Sequence, residues 1–275
     1  MKNFQPLFEI TQKIQANLIQ IKNDIQTGTI KTCTLLRRHL IDHEPLYKTY
    51  IDPSLKSIEW GGSQLEPLDV INRLKEIFQL PDVLLQSFES YGANIPPEIA
   101  EPKDLTLTEK SERTESFTYI INPFSVQKFT GHSSIDSLIK TETISEFDPS
   151  NLFKSNGQSF IYRVEKINCL ESPFLHIHLS RINEITDKLN DEILPSEEII
   201  LERNPRPLVL SSMIIHHSDR SHYTSYLKCK GKWYHFDDMP INGDKLKRIG
   251  TLSTLLSSKV HRNNVLSNAT DYFYF

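Results

Sequence analysis

The spacing of apolar residues changes near Phe117, and this change constrains the fold more than any other feature of the chain. Residues 4–27 carry apolar side chains three and four positions apart, which is typical of an amphipathic helix. From Phe117 onward, short segments rich in β-branched and aromatic residues are separated by turn signals such as Asn156-Gly157, which predicts successive strands. Helices first and strands afterwards favour an α+β fold over alternating βαβ units.

The first third of the chain is predicted to contain three helices. They are expected over about residues 4–27, from a cap at Thr32 through Leu40, and from Pro67 to Phe78. Pro67 suits the first turn of a helix because the N–H that proline lacks would have no partner there.

Residues 93–116 are polar and include several prolines, which indicates a surface loop. A chain of 275 residues is long enough to bury a sizeable core. We therefore expect one domain with a helical part over residues 1–92, a loop over 93–116 and a β-rich part over 117–275.

Composition and charge exclude several functional classes. The net charge is −4, from 31 basic and 35 acidic residues, without the basic cluster that nucleic-acid binding requires. No apolar run is long enough to cross a bilayer, so no membrane partner is expected. Cys33, Cys169 and Cys229 form no CxxC pair, which argues against a disulfide framework and a cysteine zinc site. We expect an intracellular, reducing location, in the cytoplasm or nucleus.

Residues 208–238 carry the pattern with the clearest chemistry. His222 opens a predicted strand, and Asp237-Asp238 follow the next strand, 15 residues later (237 − 222). A hairpin of this length returns Asp237 to the side of His222. An imidazole can then act as general base while a carboxylate fixes its tautomer and stabilises its charged form. This spacing makes His222 and Asp237 candidates for such a pair.

The same segment resembles the histidine box of ubiquitin-specific cysteine proteases, which reads roughly viiHxG…sGHYtaYvk…gkWyxFDD. The positions that agree in order are Ile214, Ile215, His216, His222, Tyr223, Thr224, Tyr226, Lys228, Gly231, Lys232, Trp233, Tyr234, Phe236, Asp237 and Asp238. Residues 174–181 resemble the family's strand vLxIhLkRf upstream of that box, and residues 268–274 resemble its closing strand nAYxLfY.

The resemblance implies a papain-like fold with a helical thumb in the first third and an antiparallel β palm over residues 160–275. Between residues 115 and 170 it implies a shortened, metal-free fingers region. The resemblance implies that His222, Asp237 and Asp238 are the catalytic residues. The implied activity is thiol-dependent cleavage after the C-terminal glycine of ubiquitin or a ubiquitin-like protein, without a cofactor or a metal.

Residues 62–71 resemble the family's glutamine-and-acid box gQQDaxEfl. Gln64, Glu66 and Asp69 occupy its polar positions, whereas Leu65 departs from the second glutamine. Without the resemblance, the two acids would simply favour a helix N-terminus. The resemblance implies a second role, which is to bind the tail of ubiquitin. The remaining residues implied in substrate binding are Ser221, Tyr223 and Trp233, and Ser221 stands where relatives carry glycine.

The nucleophile is the weak point of the resemblance. Cys33 alone lies early enough in the chain, but it lacks the family's surrounding asparagine and glycine, and Gly28 stands at the oxyanion position. Its distance to Gln64, 31 residues (64 − 33), suits a later family helix better than the active-site helix. We expect the sulfur of Cys33 to lie more than about 8 Å from the His222 ring, beyond hydrogen-bonding reach.

Three interpretations follow. The chain is an active deubiquitinase whose cysteine box lies upstream of Met1, a pseudoenzyme that binds ubiquitin, or an active enzyme that uses Cys33. A separate alternative is a zinc cluster formed by His176, His178, His216 and His217. It is disfavoured because no carboxylate or cysteine shares their spacing.

Overall fold

A computed structural model describes the chain in segments. These are residues 4–27, 34–58, 60, 66–80, 84–92, 106–116, 118–121, 133–140, 143–144, 153–155, 158–169, 174–181, 192–201, 206–219, 222–237, 239 and 244–275. In this part of the chain the helices are α1 Gln5–Thr27, α2 Thr34–Tyr50, α3 Pro67–Phe78, α4 Ile135–Lys140, α5 Leu252–Ser257 and α6 Lys259–Asn268.

The strands of the same part lie mainly in the second half of the chain. They are β1 Leu84–Gly92, β2 Thr106–Ser116, β3 Thr118–Ile121, β4 Ser133–Ser134, β5 Thr143–Ile144, β6 Phe153–Ser155, β7 Gln158–Cys169, β8 Leu175–Leu179, β9 Ile193–Leu194, β10 Glu198–Ile199, β11 Leu208–His217, β12 His222–Cys229, β13 Lys232–Phe236, β14 Leu246–Gly250 and β15 Ala269–Tyr274. Helices combine with mostly antiparallel sheets, so the predicted α+β class is confirmed.

The chain forms two compact units. Unit 1 comprises residues 1–81 and 234–248, and unit 2 comprises residues 82–233 and 249–275. The chain passes from unit 1 to unit 2 after residue 81 and returns to unit 1 for residues 234–248. The expectation of a single family domain over residues 1–275 stays a prediction.

Unit 1 is built on the three predicted helices, α1 to α3. Their apolar sides bury a core of Ile14, Leu40, Trp60 and Ile77. A buried ion pair lies beside this core. The guanidinium Nε of Arg73 lies 3.3 Å from Oε1 of Glu44, and the indole N–H of Trp60 donates to the same oxygen at 3.1 Å. Both residues are buried, and Glu76 is a second partner of Arg73, with Oε2 3.3 Å from Nη1, so the two carboxylates together compensate the guanidinium charge.

The first sheet of unit 2 has the order β2-β1-β7-β5, with β6 also on β7. Strand β1 lies at the end of the part expected to be helical (1–92), beyond the last predicted helix, and β2 lies in the segment predicted as a loop (93–116). The loop prediction is wrong over residues 106–116. Strand β2 has few apolar residues, and its register with β1 shifts twice. Backbone pairing with a neighbouring strand therefore defines it, and a side-chain pattern does not reveal such a strand.

The strands of the second sheet that lie wholly in unit 2 have the order β12-β11-β15-β8-β3, with β10 also on β11. The pairs β11–β12, β11–β15 and β8–β15 are antiparallel, whereas β3 is parallel to β8. The predicted strands of residues 174–181, 208–238 and 268–274 all form, and the closing strand β15 lies in the middle of the sheet.

Strand β11 contains an irregularity that decides which side chains are buried. Its register with β15 shifts between Leu210 and Ser212. Buried positions are accordingly Leu208 and Leu210 before the shift, and Met213, Ile215 and His217 after it. One extra residue in a strand moves all later side chains to the other face. For this reason His217 is buried and its neighbour His216 lies on the opposite face.

Helices α5 and α6 connect β14 to β15 and were not predicted from the sequence. Thr251 caps α5, because its hydroxyl accepts a hydrogen bond from the Thr254 N–H at 3.1 Å. The buried guanidinium of Arg181 donates to the Leu266 and Ala269 carbonyl oxygens, both at 2.7 Å. These bonds satisfy carbonyl groups at the C-terminal end of α6, where a cation is favoured.

Candidate functional site

His222 is the first residue of β12 and lies directly opposite His217, the last residue of β11. The two imidazole rings are stacked, with centroids 6.1 Å apart. Because directly opposed residues share a sheet face, His222 lies on the face that also carries Thr224 and Tyr226. Nε2 of His217 shares a hydrogen bond with the Thr224 hydroxyl at 2.9 Å.

The rest of this face is covered by helix α6. The Tyr226 hydroxyl shares a hydrogen bond with Nδ1 of His261 on that helix, at 2.7 Å. Burial raises the pKa of Tyr226 to about 12, so its hydroxyl stays protonated at neutral pH. Tyr226 is fully buried, whereas His222 is only half-buried. The imidazole of His222 therefore remains more accessible than the side chain of Tyr226 on the same face.

Tyr223, a predicted substrate-binding residue, lies on the other face of the same sheet. It is paired with His216, and their rings stack with centroids 4.6 Å apart. Adjacent residues of a strand point to opposite faces. His222 and Tyr223 are therefore neighbours in sequence, but their side chains lie on opposite faces of the sheet.

Trp233, another predicted substrate-binding residue, is 2% exposed and belongs to the core of unit 2. It follows the two-residue turn Lys230-Gly231 between β12 and β13. Both turn residues have positive φ, 48° and 72°, as the tightest hairpins require. The placement of Trp233 gives it a packing role.

Asp237 follows β13 in unit 1, whereas His222 belongs to unit 2. The carboxylate Oδ1 of Asp237 accepts a hydrogen bond from the Met239 N–H at 2.9 Å, and its own N–H donates to the Lys245 carbonyl at 2.9 Å. These bonds hold its backbone and side chain in one turn. The pairing of Asp237 with His222 stays a prediction.

Four predicted site residues, Cys33, Gln64, Ser221 and Asp238, lie outside the described residues. Among the described side chains, the free cysteine is Cys229, at the far end of β12. It stands seven residues from His222 (229 − 222). At about 3.3 Å per strand residue this separates the two by roughly 23 Å. Cys229 is therefore too far away to be activated by His222.

Glu66 and Asp69 both lie at the N-terminus of α3 and are exposed on unit 1. Glu66 is the N-cap residue, and Asp69 is in the first helical turn. Carboxylates are stabilised here by the partial positive charge of the helix end. Both acids therefore lie at one helix end, and their role in binding a ubiquitin tail stays a prediction.

A buried network that sequence reasoning missed joins strands β3, β8 and β15. Oδ1 of Asp271 lies 3.0 Å from Nε2 of His176 and 2.9 Å from Nδ1 of His178. The Thr270 hydroxyl donates to Oδ2 at 2.8 Å, and the Thr118 hydroxyl lies 2.8 Å from Nδ1 of His176. Asp271 and His176 have no solvent exposure.

The protonation of this network follows from its geometry. Burial lowers the pKa of His176, so its ring is neutral near pH 7, even though Asp271 opposes the shift. Nε2–H then donates to Asp271, and Nδ1 accepts from Thr118. Burial alone would raise the pKa of Asp271, but the hydrogen bonds from His176 and His178 outweigh it and lower that pKa to about 2.

The network also bears on the zinc alternative. No carboxylate shares the sequence spacing of His176 and His178, but Asp271 reaches both rings from a strand more than 90 residues away in sequence. Direct hydrogen bonds nevertheless occupy the space between the three groups. No cluster of three or more potential ligands suited to a metal ion occurs in the described part of the chain.

Comparison with known proteins returned no match of the chain to a protein-family model or to a curated protein. Within the described ranges, no helix combines the length and apolar character that crossing a membrane demands.

Proposed function

We propose that the chain is a domain of the ubiquitin-specific protease type, which binds the C-terminal tail of ubiquitin or a ubiquitin-like protein. One observation carries this proposal. The three segments that resemble the family, residues 174–181, 208–238 and 268–274, contain the neighbouring strands β8, β15, β11 and β12 of one sheet. A chance agreement of letters gives no reason for distant segments to meet in this way.

The proposal includes the finer architecture. Helices α1, α2 and α3 correspond to the thumb of a papain-like fold, and the second sheet of unit 2 corresponds to its palm. In this scheme His222 is the general base, and Asp237 and Asp238 supply the carboxylates that orient its imidazole ring. The accessible position of His222 at the end of β12 supports its part in this assignment.

The proposed activity is binding without hydrolysis. A thiol protease needs a thiolate within hydrogen-bonding reach of the imidazole, about 2.6–3.2 Å. Cys229 does not satisfy this condition, and Cys33 lacks the sequence surroundings of a nucleophile. We therefore favour a pseudoenzyme. The alternatives are an active enzyme that uses Cys33 and an active deubiquitinase whose cysteine box lies upstream of Met1.

Glu66 and Asp69 are the proposed contacts for the arginines of the ubiquitin tail. Exposed carboxylates form charge-assisted hydrogen bonds with guanidinium groups, which are among the stronger hydrogen bonds in proteins. Both acids lie in unit 1 at one helix end, so a single tail segment can contact both.

The test is a calorimetric titration of ubiquitin into the protein and its double variant Glu66→Lys, Asp69→Lys. We expect affinity to fall at least about tenfold, since hydrogen bonds to charged groups are worth about 1.5–3 kcal/mol each. The matched control is Glu9→Lys, Asp42→Lys. It makes the same charge change at two exposed helix positions of unit 1. Equal affinity for the test and control variants would reject the proposed contacts.

A further inference from the structure

We draw no further inference here: the strongest candidate, the open groove of unit 2 between residues 194–197 and helix α5, is lined mainly by leucine and serine side chains, and nothing in the described part of the structure shows what covers it.

Discussion

At the scale of single residues, Asp271 is a buried charge with a structural role. Asp271 is fully buried, yet its hydrogen bonds keep it ionised, since both imidazoles and a hydroxyl point at its oxygens. Removing one member of a buried charged network typically costs far more than the network contributes in net stability. Asp271 should therefore behave as a structural residue of unit 2.

We expect Asp271→Ala to lower the free energy of unfolding of unit 2 by about 3–5 kcal/mol. Asp271→Asn keeps an acceptor for the imidazoles and should cost about 1–3 kcal/mol. Denaturant unfolding, followed by ¹⁹F NMR of 5-fluorotryptophan at Trp233, reports on unit 2. The control Asp219→Ala, on an exposed turn, should change stability by less than about 0.5 kcal/mol. A loss at Asp271 no larger than that would contradict the structural role.

The pKa of His43, lowered by its burial, predicts that the free energy of unfolding of unit 1 depends on pH. Its folded pKa of about 4 lies below the ordinary value of 6.5, so between these pH values the unfolded chain binds more protons than the folded chain. The free energy of unfolding therefore falls as pH decreases from 6.5 to 4. The ¹⁹F signal of Trp60 reports on this unit, and His43→Phe should flatten the dependence. An identical pH profile in the variant would show that another group is responsible.

At the scale of secondary-structure elements, two glycines mark where β13 begins and where β14 ends. Gly231 has φ of +72°, and a Cβ placed there meets no atom within 4 Å. Gly250 has φ of +125°, and a Cβ there would lie 3.3 Å from the Thr254 hydroxyl oxygen. Thr254 also belongs to the cap of α5, so it has little freedom to move.

We therefore expect Gly250→Ala to destabilise unit 2 more than Gly231→Ala. The change at Gly231 should cost about 1–2 kcal/mol, from backbone conformation alone. The change at Gly250 should cost more, since a φ of +125° is harder for alanine and the new methyl group crowds Thr254. Thermal unfolding of the two variants provides the measurement, and equal melting temperatures would refute the order.

At the scale of the whole molecule, the presence or absence of a nucleophile separates a binding module from an enzyme. A ubiquitin derivative with a thiol-reactive C-terminus tests this directly, with mass spectrometry as the readout. We expect no covalent adduct on the protein, because cysteine and imidazole must lie within hydrogen-bonding reach for activation. Cys229→Ser controls for non-specific labelling. An adduct that Cys33→Ser abolishes would establish the active enzyme in place of the pseudoenzyme.

The sequence by itself determined the elements whose signals are local. Helices α1, α2 and α3 follow from apolar spacing, and the start of α3 follows from Pro67, which suits a first helical turn. The β11–β12 hairpin follows from two apolar strands around a short polar turn, and so does the position of His222 at its end. Both kinds of signal arise within a few residues, so they can be recognised from the sequence alone.

Tertiary structure alone decided what depends on pairing between distant segments. β15 inserts between β11 and β8 and brings Asp271 to His176 and His178, across more than 90 residues of sequence. The polar strand β2 forms because its backbone pairs with that of β1. His43 resembles any helix histidine until three helices close a pocket beside it. In each case the deciding interaction joins residues that are far apart in sequence. The residues next to a side chain in sequence therefore do not predict it.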